Sequence, residues 1–138
     1  MVFTETFSLS AKGFCDIIDI TGKVAAAVGR SGIANGLATV FCPGSTCSLT
    51  AIEYETGVLR DLANVIEKIV PSNVPYEHDR RWGDGNGFSH VRAALLKPSI
   101  SVPLVNRNLA LGTWQQIVFL DFDNRARRRE IIVQVVGE

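Results

Sequence analysis

The sequence predicts an α+β domain in which helices cover β-sheets, and three observations carry that reading. Apolar residues alternate with period two at both ends of the chain, one strongly amphipathic helical segment lies between them, and short β-type runs punctuated by Gly, Pro and Asn fill the last third. With 138 residues the chain suits a single domain, 1–138, able to bury roughly two-thirds of its unfolded surface.

The elements follow in order. Val2 to Leu9 sets Phe3, Phe7 and Leu9 against Thr4, Thr6 and Ser8, the alternation of a half-buried strand. A second strand is expected over Gly13 to Ile20, and a short helix over Lys23 to Arg30, closed by Ser31-Gly32. Gly36 to Cys42 is almost wholly apolar and reads as a strand buried on both faces. Cys47 to Tyr54 continues as a strand beyond the Pro43-Gly44-Ser45 turn and runs into Glu53 and Glu55, whose shared parity would point both carboxylates to one face. From Thr56 to Val70 the residues Val58, Leu59, Leu62, Val65, Ile66 and Ile69 recur at helical spacing until Pro71 stops the pattern. Asp61 lies off that stripe, near enough to the helix start to face a site at the strand end.

Tyr76 to His90, reading YEHDRRWGDGNGFSH, lacks apolar periodicity and is expected to be a loop, followed by one or two helical turns to Leu96. Ser99 to Val105 alternates as a strand and Asn106 to Asn108 turns. Leu109 to Asp123 gives one long or two short strands broken at Gly112, and Arg129 to Val136 closes the domain.

Composition removes several functions. Fourteen basic residues balance fourteen acidic ones, so no net field recruits nucleic acid or an anionic membrane. No apolar run approaches the roughly 20 residues that cross a bilayer. Cys15, Cys42 and Cys47 form neither a CxxC pair nor an even set, and no signal segment opens the chain, which suits a reduced cytoplasmic protein. Cys15 and Cys42 lie in apolar runs as fillers, and only Cys47 adjoins a polar turn.

The chemistry concentrates in the Tyr76–His90 segment. His78 and His90 are the only histidines, so ordinary imidazole chemistry starts there, with Asp84 and Asn86 as further oxygen donors. Either the histidines converge on a divalent metal ion such as zinc or magnesium, or His78 is an exposed loop residue and His90 opens a helix. Gly83, Gly85 and Gly87 allow positive φ and close backbone approach, which suits wrapping an anion, gathering polar side chains, or a plain turn. Arg125, Arg127, Arg128 and Arg129 form the densest cationic cluster, suited to a phosphate or to ion pairs with Asp121, Asp123 and Glu130. Trp114, Gln115 and Gln116 offer an aromatic platform with two amides on an expected strand, although strand tryptophans usually belong to the core.

The order GSTCSLTAIEYE, YEHDRRWGDGNGFSHVRAALL, LALGTWQQIVFLDFDNRARRRE resembles the YjbQ family over nearly the whole chain. The resemblance implies packed mixed β-sheets, sandwich-like, with two or three flanking helices, assembled as a homotrimer with sites at or near subunit contacts. It also implies a secondary thiamine-phosphate-synthase activity, in which a pyrimidine diphosphate joins a thiazole phosphate and pyrophosphate leaves. Carried onto this chain, the family's polar positions fall on Thr46, Thr50, Glu53, Asp61, His78, Asp84, Asn86, His90, Gly112, Trp114, Gln115 and Arg129. Glu53, His78, Asp84 and His90 are the expected catalytic set, His78 and His90 the expected metal ligands. Thr46, Thr50, Asn86, Trp114, Gln115, Arg127 and Arg129 are expected to bind a small phosphorylated ligand. Many members carry a histidine before the threonine pair, where this chain has Gly44-Ser45, so a third imidazole is missing. A metal-assisted phosphate-ester hydrolase and a non-catalytic ligand-binding trimer are the alternatives.

Overall fold

The computed structural model describes residues 1–138. Eight strands and four helices run in the order β1 (Val2–Ala11), β2 (Asp16–Asp19), α1 (Thr21–Ser31), β3 (Gly36–Phe41), β4 (Cys47–Glu53), α2 (Thr56–Ile69), α3 (Glu77–Trp82), α4 (Gly87–Leu96), β5 (Ser99–Val105), β6 (Asn108–Leu109), β7 (Gln115–Asp121) and β8 (Arg127–Gly137). One sheet has five strands ordered β1-β8-β3-β5-β6, and the second has three ordered β2-β7-β4. The α+β expectation holds, but every strand pair is antiparallel, so neither sheet is mixed in direction.

The two sheets pack face to face. Ala38, Val40, Val102, Leu104, Ile131, Val133 and Val135 from the larger sheet meet Leu49, Ile117 and Phe119 from the smaller one, and Val24, Ala27 and Val28 of α1 join them. The other face of the smaller sheet is covered in turn, with Val118, Leu120 and Phe122 against Ile66 of α2 and Ala93 of α4. Strand β7 is therefore the one buried from both sides.

That burial was expected for Gly36 to Cys42 instead. In the structure β3 buries Ala38 and Val40 but exposes Leu37 and Phe41, because nothing in the chain covers the outer face of its sheet. Val2, Leu37 and Val136 are registered side by side on that face, with Pro103 beyond Leu37. It is an uncovered apolar row.

The expected Tyr76–His90 loop is a second correction, because most of it is helical. Helix α3 buries no residue at all, which is why it leaves no apolar period to read. It is held by polar bonds: Asp79 Oδ2 accepts from the Tyr76 amide at 3.3 Å and Oδ1 accepts from the Gly87 amide at 2.8 Å. The Tyr76 hydroxyl donates to the Pro71 carbonyl at 2.6 Å. A third correction concerns Glu55, which has left the strand and caps α2, its carboxylate accepting from Gly57 N at 2.7 Å and Val58 N at 2.8 Å. Glu53 and Glu55 share no strand face.

Candidate functional site

The start of β4 lies against the end of β7, with Cys47 in register with Asp121. Asp121 and Asp123 interrupt an apolar run and are buried with it. Buried carboxylates are costly unless paired, and both are paired. Arg129 donates from Nε to Asp121 Oδ2 at 2.7 Å, and from Nη2 to Asp121 Oδ1 at 3.0 Å and Thr46 Oγ1 at 2.7 Å. Thr46 donates its hydroxyl to Asp123 Oδ2 at 2.9 Å, and Arg127 Nε donates to the same oxygen at 2.7 Å. Burial pushes the Asp123 carboxyl up, but the bonds from Arg127 and Thr46 outweigh it and hold the group below the usual carboxylate range. Burial lowers Arg129, and its bonds to Asp121 more than reverse this. Two guanidiniums thus meet two carboxylates, Arg129 through Nε and Nη2 and Arg127 through Nε alone.

Beside this network the histidines come together. His78 on α3 and His90 on α4 have ring centroids 4.3 Å apart and planes tilted by 38°. Gly83, at φ +67°, ends α3 in a left-handed turn, and a Cβ on Gly87 would stand 2.6 Å from Tyr76 Cβ. Only glycine lets α4 begin so close to α3. The turn is fixed from outside as well. Asn86 Oδ1 accepts from Ser89 Oγ at 2.6 Å and from the Asn124 amide at 3.1 Å, while Asn124 Nδ2 donates to the Asp84 carbonyl at 2.8 Å. Through Asn124 the histidine turn is tied to the strand end that carries Asp121 and Asp123.

Two buried polar atoms here have no hydrogen-bond partner, His78 Nδ1 and Asp123 Oδ1. His78 Nδ1 stands 3.3 Å from Asp84 Oδ1, close enough for an ion pair but not aligned as a hydrogen bond. Asn86 lies near enough to help hold Asp123 ionised without satisfying Oδ1. Burial and the neighbouring His78 lower the His90 pKa, against opposite pulls from Asp84 and Asp123. A neutral His90 at pH 7 is suited to accept a proton. Gly44, Ser45 and Cys47 line a cleft of about 270 Å³ together with His90, Ala93, Ala94 and Pro98.

His78, Asp79 and Asp84 place one donor atom each within 4.8 Å of one another. One nitrogen and two carboxylates suit a borderline or hard divalent cation, and the unpartnered His78 Nδ1 fits a ligating role. Asp79 is already bonded to two backbone amides, which orients it but leaves lone pairs free.

Of the residues singled out from sequence, Thr46, His78, Asp84, Asn86, His90, Arg127 and Arg129 gather at this end. Thr50 lies half-buried further along β4, paired with Val118. Glu53 and Gln115 are paired at the opposite end of the same two strands, and Trp114 precedes them in a turn, 72% exposed. Trp114 is neither in a strand nor in the core. Six residue steps at about 3.4 Å put Glu53 roughly 20 Å from Cys47, where it lines an open groove with Tyr54 and Trp114. Gly112 serves locally, its amide donating to Gln115 Oε1 at 3.0 Å, and Asp61 stays exposed on α2. Sequence reasoning treated Asp121 and Asp123 only as countercharges and passed over Asp79. Acidic residues inside the apolar run IVFLDFD were the available signal, since such residues are rarely buried unpaired.

Fold and site define a two-sheet α+β protein whose polar centre, a histidine pair beside a buried arginine–carboxylate network, sits where the ends of β4 and β7 meet α3 and α4. The family model described as UPF0047 protein YjbQ-like matches residues 5–138. A UPF0047 protein of Methanothermobacter thermautotrophicus is 38% identical over 137 residues, covering 99% of this chain and 94% of that one. One from Archaeoglobus fulgidus is 43% identical over 117 residues, covering 85% and 89%. Among solved structures, a YbjQ-like protein of unknown function from Sulfolobus solfataricus superposes with a TM-score of 0.94 at 29% identity, covering 100% of this chain and 99% of that one. A YjbQ/UPF0047 protein of Clostridium acetobutylicum gives 0.87 at 35% identity, covering 96% and 99%. The chain belongs to the YjbQ-like UPF0047 family.

Proposed function

We propose that the histidine end of the smaller sheet binds a small phosphorylated ligand and moves a proton on it, in a transferase reaction of the thiamine-phosphate-synthase type. The observation that carries the reading is the convergence of His78 and His90, whose imidazoles meet at 4.3 Å. His90, lowered by burial and by His78, faces the cleft as the acid-base group. Arg129 supplies the cation there, because its Nε and Nη2 are committed to Asp121 and Thr46 while Nη1 is left over. Arg127, bonded only through Nε, has both of its Nη groups free beside it, and a leaving diphosphate calls for more positive charge still. A divalent ion held by His78 and Asp84 would supply the rest of the charge.

Glu53, Trp114 and Gln115 enter this reaction only if a second subunit brings them. The uncovered row Val2, Leu37, Val136 and Pro103 supports a homotrimer, since a contiguous apolar face on a sheet marks an association surface. A reduced, cytoplasmic setting accords with three free cysteines, and no helix is long and apolar enough to cross a membrane.

The test combines pyrimidine diphosphate and thiazole phosphate with purified wild-type and His90→Ala protein and follows pyrophosphate release. The expected result is measurable turnover that falls at least about 100-fold in the variant; equal rates would reject His90 as the acid-base group. A metal-assisted phosphate-ester hydrolase is the second reading, favoured by the His78, Asp79 and Asp84 donors. It requires stoichiometric metal in the purified protein and hydrolysis abolished by a chelator.

A further inference from the structure

Cys42 lies in an apolar run and Cys47 beside a polar turn, and their placement in the fold differs from that of simple fillers. Cys42 follows β3 in the larger sheet and Cys47 opens β4 in the smaller one, and the short Pro43–Thr46 connection folds both side chains into one cluster. Both side chains are buried in the same cluster, the Gly44 amide between them donates to the Cys42 carbonyl at 2.9 Å, and Cys42 Sγ donates to the Pro98 carbonyl at 3.5 Å. They are not equivalent. Cys47 lines the same cleft as His90, whereas Cys42 is buried and does not line it.

Access to Cys47 depends on Gly44. A Cβ at that position would stand 2.8 Å from Cys47 Sγ and 3.2 Å from Arg129 Nη1. The missing side chain therefore leaves the thiol and the guanidinium together beside the cleft. The Cys42 hydrogen bond lowers the Cys47 pKa, burial raises it, and Arg129 lowers it further, for a net downward shift, while Cys42 is pushed up by its partner and by burial. Cys15 is the contrast: it is half-buried, its thiol is raised by burial, and it has no thiol neighbour.

We propose that Cys47 and Cys42 form a peroxide-oxidisable pair that closes to a disulfide in the wall of the cleft. The Cys47 thiolate attacks one oxygen of hydrogen peroxide, breaking the O–O bond, and leaves a sulfenic acid with release of water after proton transfer. The Cys42 sulfur then displaces the hydroxyl from that sulfenic acid, forming the S–S bond and releasing a second water. The sum is a two-electron oxidation of the dithiol and a two-electron reduction of the peroxide. A water-sized oxidant suits a thiol that is only 2% exposed but borders a cleft. The inference is independent of the ligand proposed above.

The experiment treats the reduced native protein with hydrogen peroxide, blocks remaining thiols with N-ethylmaleimide, and maps the peptides by mass. Two of the three thiols should vanish together, with a Cys42–Cys47 linkage that dithiothreitol reverses, and Cys47 should oxidise at least about tenfold faster than Cys15. In Cys42→Ser the same treatment should leave a sulfenic acid on Cys47 that dimedone traps. Three alkylatable thiols after peroxide, or preferential oxidation of Cys15, would overturn the proposal. The wild-type map alone decides the matter if the variant does not fold.

Discussion

The two ends of β4 carry polar residues in opposite ways. At the Thr46 end the threonine, Asp121, Asp123, Arg127 and Arg129 are bonded to one another and mostly buried. At the Glu53 end Glu53 and Trp114 are exposed, and neither makes a side-chain hydrogen bond within the subunit. Burial commits most of the first end's carboxylate oxygens to bonds within the protein, and the groups left over are His78 Nδ1, Asp123 Oδ1, Arg129 Nη1 and the Nη groups of Arg127. Within one subunit, Glu53 and Trp114 therefore lie at the far end of β4 and β7 from His90.

The sharpest way to break this contrast is Arg129→Ala, which strands the buried Asp121 carboxylate and leaves Asp123 to Arg127 and Thr46. It should cost about 3–5 kcal/mol of stability by chemical denaturation, while Glu53→Ala should stay within about 0.5 kcal/mol. Equal losses would show that the ends are not built differently. Next comes Leu37→Lys on the uncovered face of the larger sheet. If the proposed trimer forms through this face and brings Glu53 and Trp114 to a neighbour's His90, the variant should lower the assembled mass by light scattering and reduce turnover together. A dissociated but fully active protein would remove the Glu53 end from the site. Trp114→Ala should then reduce turnover without moving the thermal midpoint, the reverse of what a core tryptophan would do.

The smallest effects are those of pH, and at the histidine end Asp123 and His90 carry them. Asp123 has a folded pKa below its unfolded value, so its stabilisation is complete above about pH 4 and is lost as pH falls through the lowered folded value. His90 is also lowered, so the unfolded chain protonates first. Stability and base function fall as pH drops from about 6.5 through the folded value. His90→Gln should flatten the upper step in a pH series of unfolding curves, and Asp123→Asn the lower one.

Much of the fold was legible from sequence because strands and helices that bury one face write that face into the local period. The strands at both termini and α2 were readable within a few residues. Helix α3 was not, since it buries nothing and is held by Asp79 and Tyr76. Strand β3 misled for the opposite reason, being apolar on a face that no part of the subunit covers. The candidate site was legible as residue types, and His78, His90, Asp84, Asn86, Thr46 and the arginines all lie at one end. Its partition was not legible, because β4 and β7 carry Glu53, Trp114 and Gln115 to the other end.

The sequence by itself determined the family, the α+β class and the set of groups capable of chemistry, since these follow from residue order and local periodicity. Only the tertiary structure decided which groups meet. The imidazole pair, the neutralised arginines, the unpartnered Asp123 oxygen and the two adjacent thiols each depend on contacts between separate elements, and hydrogen bonds and desolvation act across space rather than along the chain.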